Sequence, residues 1–121
     1  MFVIMRTEKH FFAGGLKWKQ MLTRIIRDYG YQDKVASIRT IELTGAQIAA
    51  DPDGAVTFLV AECQRAVSED SADVIILGGA GLCGLAERIS PFVSIPIIDS
   101  VYAGARVAYK IVKSTTNITR C

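Results

Sequence analysis

Apolar and polar positions along this chain switch between the period of a strand and the period of a helix. Phe2-Val3-Ile4-Met5 is a short apolar run and predicts a buried strand. A polar, glycine-containing connection follows over 6–15. From Leu16, apolar residues recur at Leu16, Met21, Leu22, Ile25, Ile26 and Tyr29, a helical stripe that Gly30 is placed to stop. Val35 to Leu43 is rich in β-branched residues and predicts a second strand, with a loop from Thr44 to Gly54. Inside that loop Asp51-Pro52-Asp53 is a helix start: a capping acid, a proline suited to the first helical position, and an acid favoured by the helix dipole. Val56, Leu59, Val60, Cys63 and Val67 then form an amphipathic stripe, with Cys63 as a core thiol.

Val74-Ile75-Ile76-Leu77 shows no alternation, which predicts a strand buried on both faces. Gly78-Gly79-Ala80-Gly81 breaks it, and Leu82, Leu85, Ala86 and Ile89 predict a short helix ended by Pro91. Ile95 to Ile98 is a fourth strand, with Pro96 at its entry because proline cannot donate to a ladder. Asp99 or Ser100 caps a last helix with Val101, Ala105, Ala108 and Val112 facing inward. A polar tail occupies 114–121. The order βαβαβαβα predicts the α/β class, a four-stranded parallel sheet with helices on both faces, in one domain over 1–113. Right-handed crossovers would bring every strand's C-terminal end to one edge, where such sheets bind ligands. That edge would collect Arg6-Thr7-Glu8, Thr44-Gly45, Gly78-Gly79-Ala80-Gly81 and Asp99-Ser100.

Composition narrows the function classes. At 121 residues and half apolar, the chain has the material for one core and not for two. Net charge is +2, but residues 1–40 carry eight basic and three acidic side chains, and the remainder six and nine. The basic third reads as a solvated helix face with Lys17, Lys19, Arg24 and Arg27. No aromatic or RNA-type motif is interleaved with it, so no nucleic-acid partner is expected. His10 is the one histidine, on a solvated loop, which excludes a zinc site built on two histidines. No metal and no cofactor are expected. Cys63, Cys83 and Cys121 form no CxxC motif, and three widely spaced thiols suit a reducing, cytoplasmic setting. The opening apolar run is too short for a signal peptide and no run is long enough for a membrane span, so no membrane partner is expected.

The glycine segment is the most informative. Glycines after a buried strand allow a tight turn and a close ligand approach, and amides at a helix start suit a carboxylate or phosphate. A plain strand-to-helix turn is the alternative. Gly79-Ala80-Gly81-Leu82-Cys83-Gly84 also fits G-x-G-x-x-G, with Asp99 20 residues past Gly79, the arrangement of a dinucleotide-binding fingerprint. Against that, a dinucleotide fold uses this unit first, and only 22 residues follow Asp99.

The string Ala72-Asp73-Val74-Ile75-Ile76-Leu77-Gly78-Gly79-Ala80-Gly81-Leu82 resembles a signature of the aspartate/glutamate/hydantoin racemase superfamily. Ile95-Pro96-Ile97-Ile98-Asp99-Ser100-Val101 is similar to the block that follows it there. Ser37-Ile38-Arg39-Thr40-Ile41 and Asp51-Pro52-Asp53 resemble the hydantoin-racemase branch. The likeness runs from about Phe2 to Val112 and corresponds to the second, C-terminal domain of that family. It implies one half of a two-domain fold with the active site in the cleft between halves. It also implies two opposed cysteines that move a proton at the α carbon of an amino-acid derivative without metal or cofactor. Opposed groups of matched pKa permit protonation from either face, while amides stabilise the enolate oxygen and lower a nearby thiol's pKa.

The chain departs from that pattern twice. The half that would carry the first cysteine is absent, and Gly79 stands where the loop cysteine is usual. Cys83, four residues on and one helical turn into the next helix, is a weak candidate thiol. The expected ligand-binding residues are Thr7, Gly78, Gly79, Ala80, Gly81, Asp99 and Ser100, with Thr7 and Asp99 also readable as helix caps. The expected ligand is a small carboxylate or hydantoin. The expected partner is a second copy in a homo-oligomer or a missing N-terminal domain. A catalytically silent anion-binding remnant is the rival reading.

Overall fold

A computed structural model describes the backbone of residues 2–5, 10–12, 16–41 and 43–119, and the side chains of 19–41 and 43–115. The elements are β1 (Phe2–Met5), β2 (His10–Phe12), α1 (Leu16–Asp28), β3 (Val35–Arg39), α2 (Gly45–Ala50), α3 (Pro52–Asp70), β4 (Val74–Leu77), α4 (Leu85–Ile89), β5 (Ile97–Asp99) and α5 (Ser100–Thr119). The class is α/β, as expected.

The sheet corrects the expectation of four parallel strands. Among the described residues it has five strands in the order β2-β1-β4-β5, with β3 pairing β1 off that path, and of the pairings there only that of β4 with β5 is parallel. β1 runs antiparallel to β2, β3 and β4. The other four strands therefore share one direction and β1 opposes them. The reason is local: β2 was expected to be loop, and the connection from Met5 to His10 is too short for a crossover, so it can join only antiparallel strands. The four strands that share a direction are separated by helices, which is the βα alternation the sequence pattern shows.

α1 buries Leu22 and Ile26 and ends as the glycine predicts. Gly30 has φ +75°, the Tyr31 amide donates to the Ile26 carbonyl at 2.9 Å and the Gly30 amide to the Arg27 carbonyl at 3.0 Å, the pairing of a Schellman stop. β3 is shorter than expected. The stretch expected as loop after it contains α2, held by a reciprocal cap between Thr44 and Gln47. α3 starts where Asp51-Pro52-Asp53 places it, with the Asp51 carboxylate accepting from the Gly54 amide at 3.0 Å. Its Ala55, Leu59, Cys63 and Ala66 meet Ile75 and Leu77 of β4 in one core, joined by Leu82, Leu85, Ala86 and Ile89. β4 is fully buried at Ile75 and Leu77 and half-buried at Val74 and Ile76. Pro96 contributes its carbonyl, accepting from the Ile75 amide at 2.9 Å, and so enters the sheet without needing a donor.

α5 departs from its expected placement. Val101 and Val112, expected inward, are 41% and 62% exposed, and every residue from Gly104 to Thr115 is exposed. Its first turn follows directly from β5 and packs against it. The backbone stays helical to Thr119, beyond the position where the polar tail is expected to begin.

Candidate functional site

Three strand ends converge on one edge. Phe2 pairs with both Arg39 and Leu77, which puts the ends of β3 and β4 side by side, and Leu77 pairs with Asp99 at the end of β5. The segments after these strands meet as well: a Cβ placed on Gly81 would lie 3.6 Å from the Gly45 Cα. Of the four segments expected here, Thr44-Gly45, Gly78–Gly81 and Asp99-Ser100 are brought together. The fourth is not supported: Met5, at the end of β1, pairs with Val35 at the start of β3, which is the opposite edge. Thr7 itself lies outside the described residues, as do Arg6, Glu8 and Cys121, and of His10 only the backbone is described.

The glycine loop is not the run into a single helix that the sequence suggests. Gly78 is buried at the strand end. Gly79 takes φ +113°, ψ +136°, open only to glycine, and turns the chain into a 3₁₀ turn over Ala80–Leu82. Gly84 at φ +83° re-aims the chain before α4, a helix of five residues. Cys83 is therefore not a turn into a helix; it sits extended and exposed between the two, at φ −57°, ψ 131°. Within the turn, Leu82 and Cys83 donate to the carbonyls of Gly79 and Ala80 at 3.1 and 3.3 Å. Among the described residues, nothing accepts from the amides of Gly79, Ala80 and Gly81. Three consecutive donors on exposed residues remain, and such a row of amides suits an oxyanion or a carbonyl oxygen.

Asp99 is 8% exposed, and its carboxylate is spent on the backbone. One oxygen accepts from Val101 and Tyr102 at 2.9 and 3.2 Å, capping α5; the other accepts from Gly84 at 2.8 Å. Asp99 thus ties the glycine loop to the start of α5. The cap reading holds, with a second bond that the sequence did not reveal. A carboxylate so occupied does not present itself to a ribose, and with the broken helix this removes the geometry of a dinucleotide fingerprint. Ser100 follows half-buried in the first turn of α5. The long helix offers no anion its first amides, because Asp99 takes them.

Gln47, and the reciprocal cap it forms with the expected Thr44, is what the sequence reading missed at this edge. The Gln47 carbonyl oxygen accepts from the Thr44 amide at 2.9 Å and the Gln47 amide donates to the Thr44 hydroxyl at 3.2 Å. The T-x-x-Q spacing was the available signal. Cys63 is fully buried, and burial first, then the Glu62 charge, pushes its thiol up to about 12. It is a packing residue, as expected. A groove of about 540 Å³ lined by Asp53, Val56, Thr57, Val60, Arg88 and Phe92 contains no residue of the glycine loop. No cluster of metal-ligating side chains occurs among the described residues.

An α/β domain with a glycine edge at the end of β4 and a capping aspartate at the end of β5 defines the class. The profile of the family described as Asp/Glu/Hydantoin racemase matches residues 11–108, and the chain belongs to that family. It is 37% identical to a hydantoin racemase of Pseudomonas sp. (strain NS671) over 94 residues, covering 78% of this chain and 38% of that protein. A hydantoin racemase of Rhizobium meliloti is 33% identical over 84 residues, with 69% and 35% covered. The chain thus spans well under half the length of these relatives. Among solved structures, the allantoin racemase of Pseudomonas fluorescens superposes with a TM-score of 0.78 at 26% identity, over 89% of this chain and 46% of that one. The allantoin racemase of Klebsiella pneumoniae, at 22% identity and a TM-score of 0.76, shares the fold. No described helix is long and apolar enough to cross a membrane.

Proposed function

We propose that residues 1–113 act as the counterpart of the racemase family's second domain and hold the carbonyl or carboxylate of a small amino-acid derivative, hydantoin-like, on the Gly78–Gly81 edge. The observation that carries this reading is the row of unpartnered amides at Gly79, Ala80 and Gly81. Family membership and similarity to hydantoin racemases support this substrate class. Asp99 positions the loop by fixing Gly84 and the first turn of α5, and Ser100 follows it at the same edge.

The chemistry such a site serves is proton transfer at the α carbon without a cofactor. A base removes the α proton, the electron pair passes to the carbonyl oxygen, the loop amides stabilise that enolate oxygen, and an acid on the opposite face returns a proton. Cys83 is the exposed thiol nearest the loop in sequence and its free state suits a cytoplasmic setting. A second reading is a catalytically silent binding domain. Gly79 favours it, since its φ of +113° stands where the family's loop cysteine is usual.

Solvent-deuterium exchange at the α carbon, read by NMR on a panel of amino acids and 5-substituted hydantoins, separates the two. Exchange that disappears in Cys83→Ala makes the chain an enzyme. Binding-induced shifts at the Gly79–Gly81 amides without exchange make it a silent binding domain. Neither shifts nor exchange with any compound would overturn the ligand site.

A further inference from the structure

Gln47 carries N–H donors that the fold holds in place and leaves unused. Its carboxamide oxygen accepts from the Thr44 amide at 2.9 Å and from the Thr44 hydroxyl at 3.1 Å, while its backbone amide donates to that hydroxyl at 3.2 Å. A backbone amide can only donate, so the carboxamide atom facing Thr44 is the oxygen. The group is planar, and its NH2 is therefore turned away from the cap. No acceptor for that NH2 occurs among the described residues, and Gln47 is exposed. A glutamine side chain in water samples many rotamers. This one is already fixed by the cap, so a ligand that meets it does not have to order it first.

Its place is the edge of the glycine loop. Gly45 is the first residue of α2, and its Cα is the atom that a Cβ on Gly81 would meet at 3.6 Å. α2 lies against the 3₁₀ turn Ala80–Leu82. Two sets of unpartnered donors therefore stand on adjoining segments: the backbone amides of Gly79, Ala80 and Gly81, and the side-chain NH2 of Gln47. The buried carboxylate at this edge, Asp99, already accepts from Gly84, Val101 and Tyr102. The edge thus presents donors on two sides, which suits a ligand with two acceptor oxygens.

We propose that Gln47 sets the substrate class: its NH2 donates to a second carbonyl oxygen of a ligand whose first carbonyl oxygen lies on the Gly79–Gly81 amides. The inference rests on the ligand site proposed above and narrows it to cyclic ureides of the hydantoin type. A hydantoin ring has two carbonyl oxygens, one on either side of a ring nitrogen. The one beside the α carbon takes the enolate charge at the loop amides, and the other is left for Gln47. The amino acid with the same side chain has no second carbonyl, and its ammonium group sets donor against donor. A site built of donors rejects such a compound because its own polar groups stay unpaired.

A 1H–15N NMR titration of the 121-residue chain with 5-methylhydantoin, 5-methyl-2-thiohydantoin and alanine tests this. The thio compound keeps the ring and replaces the second carbonyl oxygen by sulfur, a weaker acceptor. 5-Methylhydantoin is expected to shift the Gly79–Gly81 amide signals together with the Gln47 side-chain NH2 pair, which is assigned by its loss in Gln47→Glu. Glutamate serves the same reciprocal cap, so the variant keeps the circular dichroism spectrum and Tm of the parent chain. It binds 5-methylhydantoin about three- to tenfold more weakly, the range of one net hydrogen bond. The thio compound binds the parent chain more weakly by a similar factor and loses little more in the variant, and alanine leaves the Gln47 NH2 signals in place. Loop amides that shift while the Gln47 NH2 pair stays, or 5-methylhydantoin bound equally by parent and variant, overturn this inference and leave the loop site standing. Loop amides that no compound shifts overturn the loop site and this inference with it. If Gln47→Glu does not fold, the oxygen and sulfur rings on the parent chain decide alone, and equal affinity overturns the inference.

Discussion

Replacing Asp99 by alanine tests whether one carboxylate joins the glycine loop to α5. The side chain accepts three backbone hydrogen bonds at 2.8–3.2 Å while 8% exposed. Losing the cap of α5 costs about 1 kcal/mol. The Gly84 amide, half-buried, loses its acceptor at about 1–2 kcal/mol. The sum, about 2–3 kcal/mol, is a large share of the roughly 5–15 kcal/mol of a domain's stability. It lowers Tm by about 10 °C at this chain length. Asp99→Asn keeps one oxygen for Val101 and Tyr102 but turns an NH2 group against the Gly84 amide, so about half the loss is expected. Urea unfolding followed by circular dichroism measures both, with unchanged slope as the check that the folded state stays intact. A loss under about 1 kcal/mol for Asp99→Ala, half the lower bound of the cap and amide contributions together, would refute the reasoning. The same variant should broaden or shift the Gly79–Gly81 amide signals by NMR, because the loop is anchored through Gly84.

Four further outcomes are expected. Arg39 reaches Asp70 at 2.8 Å, Glu69 at 2.6 Å and Glu62 at 3.5 Å, tying β3 to α3; Arg39→Met takes the cation from Asp70, which keeps its bond from Ser37, while Glu62 and Glu69 keep Arg65, and stability falls by about 1–3 kcal/mol in urea unfolding. Burial works against the charged form of Asp70, but hydrogen bonds from Arg39 and Ser37 outweigh it and hold its carboxyl below the ordinary 3.8. Its contribution is therefore complete above that ordinary value and is lost as pH falls through the lower folded one; Asp70→Asn should flatten the acid limb of a stability–pH curve. A thiol reagent near neutral pH should label Cys83 in the native chain, with Cys63 protected until urea exposes it, as peptide mapping would show. Gly79→Cys should cost about 1–3 kcal/mol in thermal unfolding, because φ +113° is strained for any side chain.

The local decisions were legible in the residues themselves. Asp51-Pro52-Asp53 starts α3, Gly30 stops α1, and Leu59, Cys63, Ile75, Leu77 and Ile89 form the core, because caps and periodicity act over a few residues and need no distant partner. The family was legible too, since the strand-glycine-helix string and the Pro-Ile-Ile-Asp block are contiguous in sequence. Strand direction was not. An apolar run such as Phe2–Met5 looks the same whichever way it enters the sheet, and its antiparallel placement follows from pairing with β2 and β3. Nor could the pattern say which face of α5 meets protein, since an apolar stripe marks a surface to be covered without saying by what. The site divides the same way. That glycines at Gly78–Gly81 would turn the chain was a property of the residues. That Gly79, Ala80 and Gly81 find no acceptor among the described residues while Asp99 closes on Gly84 depended on the ends of β3, β4 and β5 meeting at one edge, and hydrogen-bond partners distant in sequence are chosen only when the chain has folded.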